Sequence, residues 1–224
     1  MQAVTIVLAC FGGLVLLLAL SRWLAGRRWA CAGHLALAVA LLLAAACIEP
    51  VAAHLATYQP RRGDAPVAQV HCERTSSRSY RVTLTRLPDG HMQVFEVAGD
   101  QWRLEARTLG WLGRAVDLGL RSGFRLDRLS ARFVHAAESG AVAPSSYPLS
   151  EEQGKDLWAM ARAGTVWSDF AVADQATTPW LPLADGARYE LQFEQARLAA
   201  RPINEAAAKA IAAQPATLDS VPRP

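Results

Sequence analysis

Two apolar runs separated by a short basic break make up residues 3–48, which read AVTIVLACFGGLVLLLALSRWLAGRRWACAGHLALAVALLLAAACI. Residues 3–20 carry no charge, and the only titratable side chain of residues 30–48, apart from cysteine, is His34. At a rise of about 1.5 Å per residue, about 18 to 20 apolar residues cross the ~30 Å hydrocarbon core of a bilayer. The sequence therefore predicts two membrane-spanning helices, at about 3–20 and 30–48.

The break between the two runs predicts an antiparallel helical hairpin over residues 1–50. Gly26 permits a tight turn, and a connection this short makes the two helices neighbours. Tryptophan rings suit the headgroup level of a bilayer, where arginines also meet lipid phosphates. The membrane-interface candidates of the break are Arg22, Trp23, Arg27, Arg28 and Trp29.

The basic residues also predict the orientation of the hairpin. Three arginines lie in the break, whereas Met1 and Gln2 carry no basic side chain and the far flank opens with Glu49. Basic loops stay on the cytoplasmic side of a membrane. We therefore expect the break in the cytoplasm and both termini outside.

Two processing signals are alternatives to the hairpin. A secretory signal needs a basic region before its apolar stretch, and residues 1–2 provide none. Residues 27–47 resemble a lipoprotein signal that ends at Cys47, but they would need a start near Arg27, and the methionine after Met1 is Met92. We therefore expect two retained spans.

Charge and cysteine content indicate which partners and which covalent cross-links the chain can have. The formal charge of +3 over 224 residues is too small to indicate nucleic acid. Of the four cysteines, only Cys72 lies outside the apolar runs, so the rest of the chain cannot form an internal disulfide. We interpret the cysteines as small buried apolar residues.

The remainder of the chain predicts a β-rich domain. Prolines break residues 51–66, which we interpret as a linker. From residue 67 the pattern alternates with a period of two, and Pro88-Asp89-Gly90 forms a turn. After an alternating stretch at residues 67–72, residues 80–87, 92–97 and 101–109 predict a three-stranded antiparallel meander with Trp102, Leu104 and Ala106 inward and Arg103, Glu105 and Arg107 outward.

Further elements follow in the second half of the chain. Residues 124–134 predict a strand with a bulge, because the apolar alternation slips between Leu126 and Leu129. Ser150 is expected to cap a helix that ends at Gly164, and Asn204 a helix that ends near residue 213. The predicted domain covers residues 67–203, followed by a C-terminal helix and disordered tail over residues 204–224. The fold class is thus an N-terminal transmembrane α-helical hairpin followed by a β-rich α+β extramembrane domain, with an antiparallel sheet and one or two packed helices.

Residues 111–124 predict a segment that lies at the membrane interface. The apolar side chains at positions 111, 112, 116, 120 and 124 (Trp111, Leu112, Val116, Leu120 and Phe124) lie within about one helical face, and Arg114 and Arg121 flank it. Trp111 completes the set of interface candidates. The alternative is that these apolar side chains fill the domain core.

Few residues indicate chemistry. His34 is an intramembrane polar group, which is a functional candidate by default, although no Asp or Glu accompanies it within residues 3–48. Arginines recur between Arg103 and Arg132 and favour either an anionic ligand or an ordinary solvated sheet face. The other histidines and cysteines lack metal-ligand spacing, and neither a phosphate-binding loop nor a nucleophile elbow is present. We therefore predict no cofactor, no metal and no catalytic residue.

The layout resembles a family of uncharacterised two-span membrane proteins of Gram-negative bacteria whose members are often labelled cation/multidrug efflux pumps. The resemblance rests on GDQWRLEAR (residues 99–107), FRLDRLSARF (residues 124–133) and LADGARYE (residues 183–190). It implies an inner-membrane protein with its domain in the periplasm, and it assigns no site residues.

Three functions fit these observations. The favoured one is a membrane-tethered interaction or accessory module of the cell envelope, with a membrane protein or a second copy as partner besides the lipid bilayer. The second is an efflux transport component, which would have to act as an oligomer because two helices enclose no pathway. The third, an enzyme acting on an envelope substrate, has the least support.

Overall fold

The computed structural model describes residues 2–26, 28–61, 63–117, 119–134, 145–150, 156–164, 170–195 and 197–214. The chain divides into two compact units. The first comprises Met1–Gln59 with Glu152–Thr165, and the second comprises Pro60–Glu151 with Val166–Pro224.

The helical hairpin of the first unit confirms the two predicted apolar helices. They are α1 (Gln2–Leu24) and α2 (Arg28–Ala56), and both are long and apolar enough to cross a membrane. Gly26 lies between them with φ of +73°, the conformation that its missing side chain permits. Only 17% of each candidate span is buried, so most of the apolar surface is open, unlike that of a core helix in a soluble protein.

Small residues bring the two helices together. The buried positions include Ala19 on α1 and Ala38 and Ala45 on α2. A methyl group added at Gly12 would meet the Leu42 side chain at 3.1 Å, so the backbone of α1 closely approaches α2 at this position. Close packing through small residues is how helices associate in lipid, where no hydrophobic drive acts between them.

The second helix continues beyond the predicted boundary of the linker. α2 runs through Pro50 to Ala56, whereas the linker was expected to begin at residue 51. A proline removes one backbone hydrogen bond and bends a helix without having to end it. The 29 residues of α2 extend about 43 Å, which is longer than a hydrocarbon core requires.

The short helix α4 (Leu157–Arg162) belongs to the first unit, although strands flank it in the sequence. Asp156 is its N-cap and accepts hydrogen bonds from the backbone N–H groups of Trp158 and Ala159. The predicted cap, Ser150, is therefore wrong. A carboxylate adjacent to the first turn accepts both N–H groups and also faces the positive end of the helix dipole.

The second unit contains two antiparallel sheets within the described residues. Sheet A has the order β1-β6-β5-β8, with β7 on β6 and β9 on β5, and sheet B has the order β11-β10-β2-β3-β4. The strands are β1 (Gln59–Pro60), β2 (Pro66–Arg74), β3 (Ser79–Arg86), β4 (Met92–Ala98), β5 (Gln101–Trp111), β6 (Gly123–Arg132), β7 (Ser146–Pro148), β8 (Ala171–Thr177), β9 (Leu181–Pro182), β10 (Arg188–Glu194) and β11 (Arg197–Pro202). Two helices complete the unit, α3 (Arg114–Asp117) and α5 (Glu205–Ala213).

The predicted three-stranded meander is only partly correct. β3 and β4 pair as predicted, and β2 pairs with the other edge of β3, but β5 pairs with β6 and β8 in the other sheet. The chain changes sheet at Gly99, which has φ of +152°. A Cβ atom there would lie 2.6 Å from the Arg132 carbonyl oxygen, so this close crossing requires glycine.

Two local predictions are confirmed. The bulge in β6 falls at Asp127, since Glu105 pairs with Arg128 and Ala106 with Leu126. Asn204 caps α5 and accepts a hydrogen bond from the Ala207 N–H. The predicted disordered tail lies, apart from Gln214, outside the described residues.

The core lies between the two sheets. Trp102, Leu104 and Leu129 of sheet A meet Tyr189, Leu191 and Phe193 of sheet B, and all six are fully buried. Trp102 and Tyr189 pack edge to face with ring centroids 5.4 Å apart. The unit is therefore a β-sandwich with one continuous core.

Candidate functional site

One side of the β-sandwich is closed by contacts between the sheets. The Tyr147 hydroxyl of β7 donates to the Glu96 carbonyl of β4, and the rings of Phe95 and Tyr147 lie 5.3 Å apart. The Ala98 N–H donates to the Ser145 hydroxyl at 3.3 Å. These contacts cover the last residues of β4, whereas Met92 and Val94 near its start are exposed.

The opposite side of the sandwich is open and forms a groove. β8 and β11 each have one strand neighbour among the described residues, so each is an edge strand. Between them lies a groove of about 1120 Å³ that residues 174–180, residues 194–195 and residues 197–200 line together with Arg103. An unpaired strand edge presents backbone N–H and C=O groups that another extended chain can meet.

Trp180 forms one wall of the groove and is held from several sides. The guanidinium groups of Arg103 and Arg132 lie 4.6 Å and 4.2 Å from its ring centroid. Gln214 at the end of α5 donates to the Trp180 carbonyl at 3.1 Å. A cation against an indole face is held by the ring quadrupole, so this wall is fixed in advance of any binding.

The charges of the groove are largely compensated. Arg103 pairs with Glu105, which also accepts a hydrogen bond from Gln175 at 3.0 Å. Hydrogen bonds from Arg201 and Gln192 lower the pKa of Glu194, which therefore stays ionised near neutral pH. Arg197 and Asp174 add one charge of each sign to the lining. A groove without excess charge suits the neutral backbone of a peptide better than a small ionic ligand.

A second surface of the same unit is an apolar patch at one end of sheet A, which we call the apolar tip. It comprises Leu112, Val116, Phe170 and Val172, all of which are exposed. The Leu112 N–H donates to the Phe170 carbonyl at 2.9 Å, and Val172 is the register partner of Gly110. The tip therefore joins residues from two distant stretches of the chain.

The predicted interface residues of the hairpin lie at its turn. Trp23 and Trp29 are 61% and 94% exposed, as side chains embedded in a headgroup layer would be in the absence of lipid. Arg22 is half-buried in the last turn of α1, and Arg28 is the first residue of α2. Arg27 lies outside the described residues. His34 is half-buried on α2.

The predicted interface segment over residues 111–124 is not one helix. Trp111 ends β5 and is half-buried, Arg114 opens the four-residue α3, and Arg121 is exposed just before β6. Phe124, expected on the same face, is buried in the sandwich core. The glycines of this stretch limit helix length, and strand pairing of residue 124 with Thr108 fixes its side chain inward.

The arginine-rich face of sheet A differs from the predicted solvated face. Glu105 and Arg125, both expected outward, are buried. Arg107 pairs with Asp127 at 2.9 Å, and both side chains are mostly covered. Arg107 and Arg125 are therefore engaged in ion pairing and packing, whereas Arg121 and Arg128 remain exposed.

The metal-ligating side chains and the buried Cys72 thiol were the remaining candidates for chemistry among the described residues. No group of three or more metal-ligating side chains occurs among them. Burial raises the pKa of the Cys72 thiol to about 12, so the thiol stays protonated and unreactive at neutral pH. Burial also raises the pKa of Tyr189, whose hydroxyl donates to the Pro182 carbonyl.

Sequence reasoning did not find the groove. Trp180 follows Thr177, Thr178 and Pro179, where β8 ends. The proline marks the end of a strand in the sequence, but it does not show that an indole there faces a groove. Comparison of the chain with protein-family models, with curated proteins and with solved structures found no match.

Proposed function

We propose that the chain is a membrane-tethered interaction module of the bacterial cell envelope, anchored in the inner membrane with its β-sandwich in the periplasm. The observation that carries the proposal is the groove between the edge strands β8 and β11. Its occupant is an extended segment of another envelope protein, which adds a strand to one of the two edges.

Two features support this occupant. On the opposite side the last residues of β4 are bonded to Tyr147 and Ser145, whereas the β8 and β11 edges have no described strand neighbour beyond the sheet. The lining combines backbone edges, compensated charges and the fixed indole of Trp180. Main-chain pairing would give affinity, and side-chain contacts with the Trp180 wall would give specificity.

The basic hairpin turn supports the proposed orientation of the chain in the membrane. The two apolar helices support its anchoring in the membrane. Among the described residues, no comparable structural feature supports an efflux role or an enzymatic role. Within the described part of α1 and α2, Glu49 is the one carboxylate, and it lies seven residues before the end of α2.

Site-specific photo-crosslinking in living cells tests the proposal. A photoreactive residue at Thr177 on β8 or at Ala199 on β11 should cross-link to one and the same polypeptide, at a mapped extended segment. A matched probe at Arg81, on the outer face of sheet B, should give no such product. Adducts only with lipid, only with a second copy, or equally at all three positions would overturn the proposal.

A further inference from the structure

We propose that the apolar tip (Leu112, Val116, Phe170 and Val172) rests in the headgroup layer of the same bilayer that holds the two helices. The tip is separate from the groove, and this inference does not depend on the groove having an occupant. Its partner is a phospholipid surface, met mainly through apolar side chains.

The first argument is the exposure of the tip. Val116 is 53% exposed, Val172 is 48% exposed and Phe170 is 42% exposed, although the remainder of sheet A buries its apolar side chains. A contiguous patch of large apolar side chains on a folded domain marks a surface that is covered in the working protein.

The second argument is chain connectivity. The Arg61 N–H donates to the Ser122 carbonyl at 3.2 Å, at the end of the stretch that carries Leu112 and Val116. Arg61 follows Ala56, the last residue of α2, by five residues, which span at most about 18 Å. The stretch is therefore tethered close to the end of a membrane helix by the covalent chain alone.

The third argument is the character of the neighbouring side chains. Trp111 is half-buried at the end of β5, and amphipathic rings favour the boundary between headgroups and acyl chains. Residues 111–124 carry Arg114 and Arg121 against Asp117, and this net charge of +1 adds little to the attraction of a lipid surface. Apolar contact thus dominates, and the tip would orient the sandwich rather than attach it.

Spin-label accessibility in the full-length protein tests the inference. The protein is reconstituted into vesicles of phosphatidylethanolamine and phosphatidylglycerol, with Cys10, Cys31 and Cys47 replaced by alanine and the buried Cys72 retained. Single labels are attached through Val116→Cys or Val172→Cys. Val94→Cys on β4 is the matched control, since Val94 is 57% exposed and lies on the other sheet.

Labels at 116 and 172 should collide several-fold less often than the control with a water-soluble nickel chelate, and more often with oxygen, which concentrates in lipid. Equal nickel accessibility at the tip and at 94 would show that the tip faces water and would overturn the inference. Protection from both oxygen and nickel would show burial against protein, by a partner or a second copy, and would overturn it as well.

Discussion

The Nε2 atom of His54 lies 3.8 Å from the Oδ1 atom of Asp156, so the end of α2 meets the residue that caps α4. His54 is 1% exposed, and its ring also packs against Tyr58 with a centroid distance of 5.6 Å. The contact fastens a segment from the middle of the β-rich sequence to the helical hairpin. Asp156 therefore has two structural tasks, as a helix cap and as a neighbour of His54.

Two substitutions of Asp156 distinguish its role as a helix cap from its contact with His54. Asp156→Ala removes the cap and should destabilise α4 by about 1 kcal/mol, equivalent to roughly fivefold faster tryptic cleavage after Arg162. Asp156→Asn is the control, since asparagine caps a helix equally well. Equal cleavage of Asp156→Ala and the natural protein would contradict the capping role. Fast cleavage of Asp156→Asn would show that the charge next to His54 matters more than the cap.

The basic hairpin turn predicts the location of the C-terminus. A C-terminal reporter that fluoresces only in the cytoplasm should remain dark, because the three arginines of the break hold the turn on the cytoplasmic side. A phosphatase active only in the periplasm, fused at the same position, should be active. A bright fluorescent fusion would place the β-sandwich in the cytoplasm.

The β-sandwich should fold without its anchor. Its core cluster lies entirely within the second unit, so a fragment covering residues 60–224 retains all of the core contacts. We expect one cooperative unfolding transition with urea, with early proteolysis confined to residues 156–164, which lose their helical partners. A fragment that stays aggregated in mild conditions would show that the sandwich needs the hairpin.

Burial of Cys72 predicts a loss of stability in alkali. The thiol pKa is about 12 in the folded protein against 9.0 for a free thiol, so the folded state keeps a proton that the unfolded state loses. This contribution is complete below pH 9.0 and disappears as pH rises towards about 12. Between about pH 8 and about pH 10 the free energy of unfolding should fall by roughly 1 kcal/mol from this group.

Urea titrations of the 60–224 fragment at the two pH values measure this loss. The control is Cys72→Ala, which lowers stability at both pH values through its cavity but removes the thiol contribution to the pH dependence. An identical pH dependence in the two proteins would contradict the assignment.

Trp180 should stabilise the groove wall. Trp180→Ala leaves Arg103 and Arg132 without the indole face and should cost about 2 kcal/mol, less than a fully buried tryptophan because Trp180 is half-buried. Trp180→Phe keeps an aromatic face and should cost less. Urea unfolding of the 60–224 fragment measures both, and an equal cost for the two variants would rule out a contribution from the cation–π contacts.

The sequence by itself determined the features that depend on near neighbours along the chain. Length and hydropathy defined the two helices, alternation defined β3 and β6, and cap chemistry placed the start of α5 at Asn204. The slip between Leu126 and Leu129 even located the bulge at Asp127. Such signals are readable because a helix period, a strand period or a cap involves only a few consecutive residues.

Tertiary structure alone decided which strands meet and which surfaces remain open. β5 leaves the meander for sheet A, α4 joins the hairpin, Phe170 joins Leu112 in the apolar tip, and β8 faces β11 across the groove. The buried Glu105 and Arg125 also follow from pairing across strands rather than from alternation along one. These features depend on contacts between residues far apart in the chain, and a local pattern carries no information about which distant partner a strand edge will find.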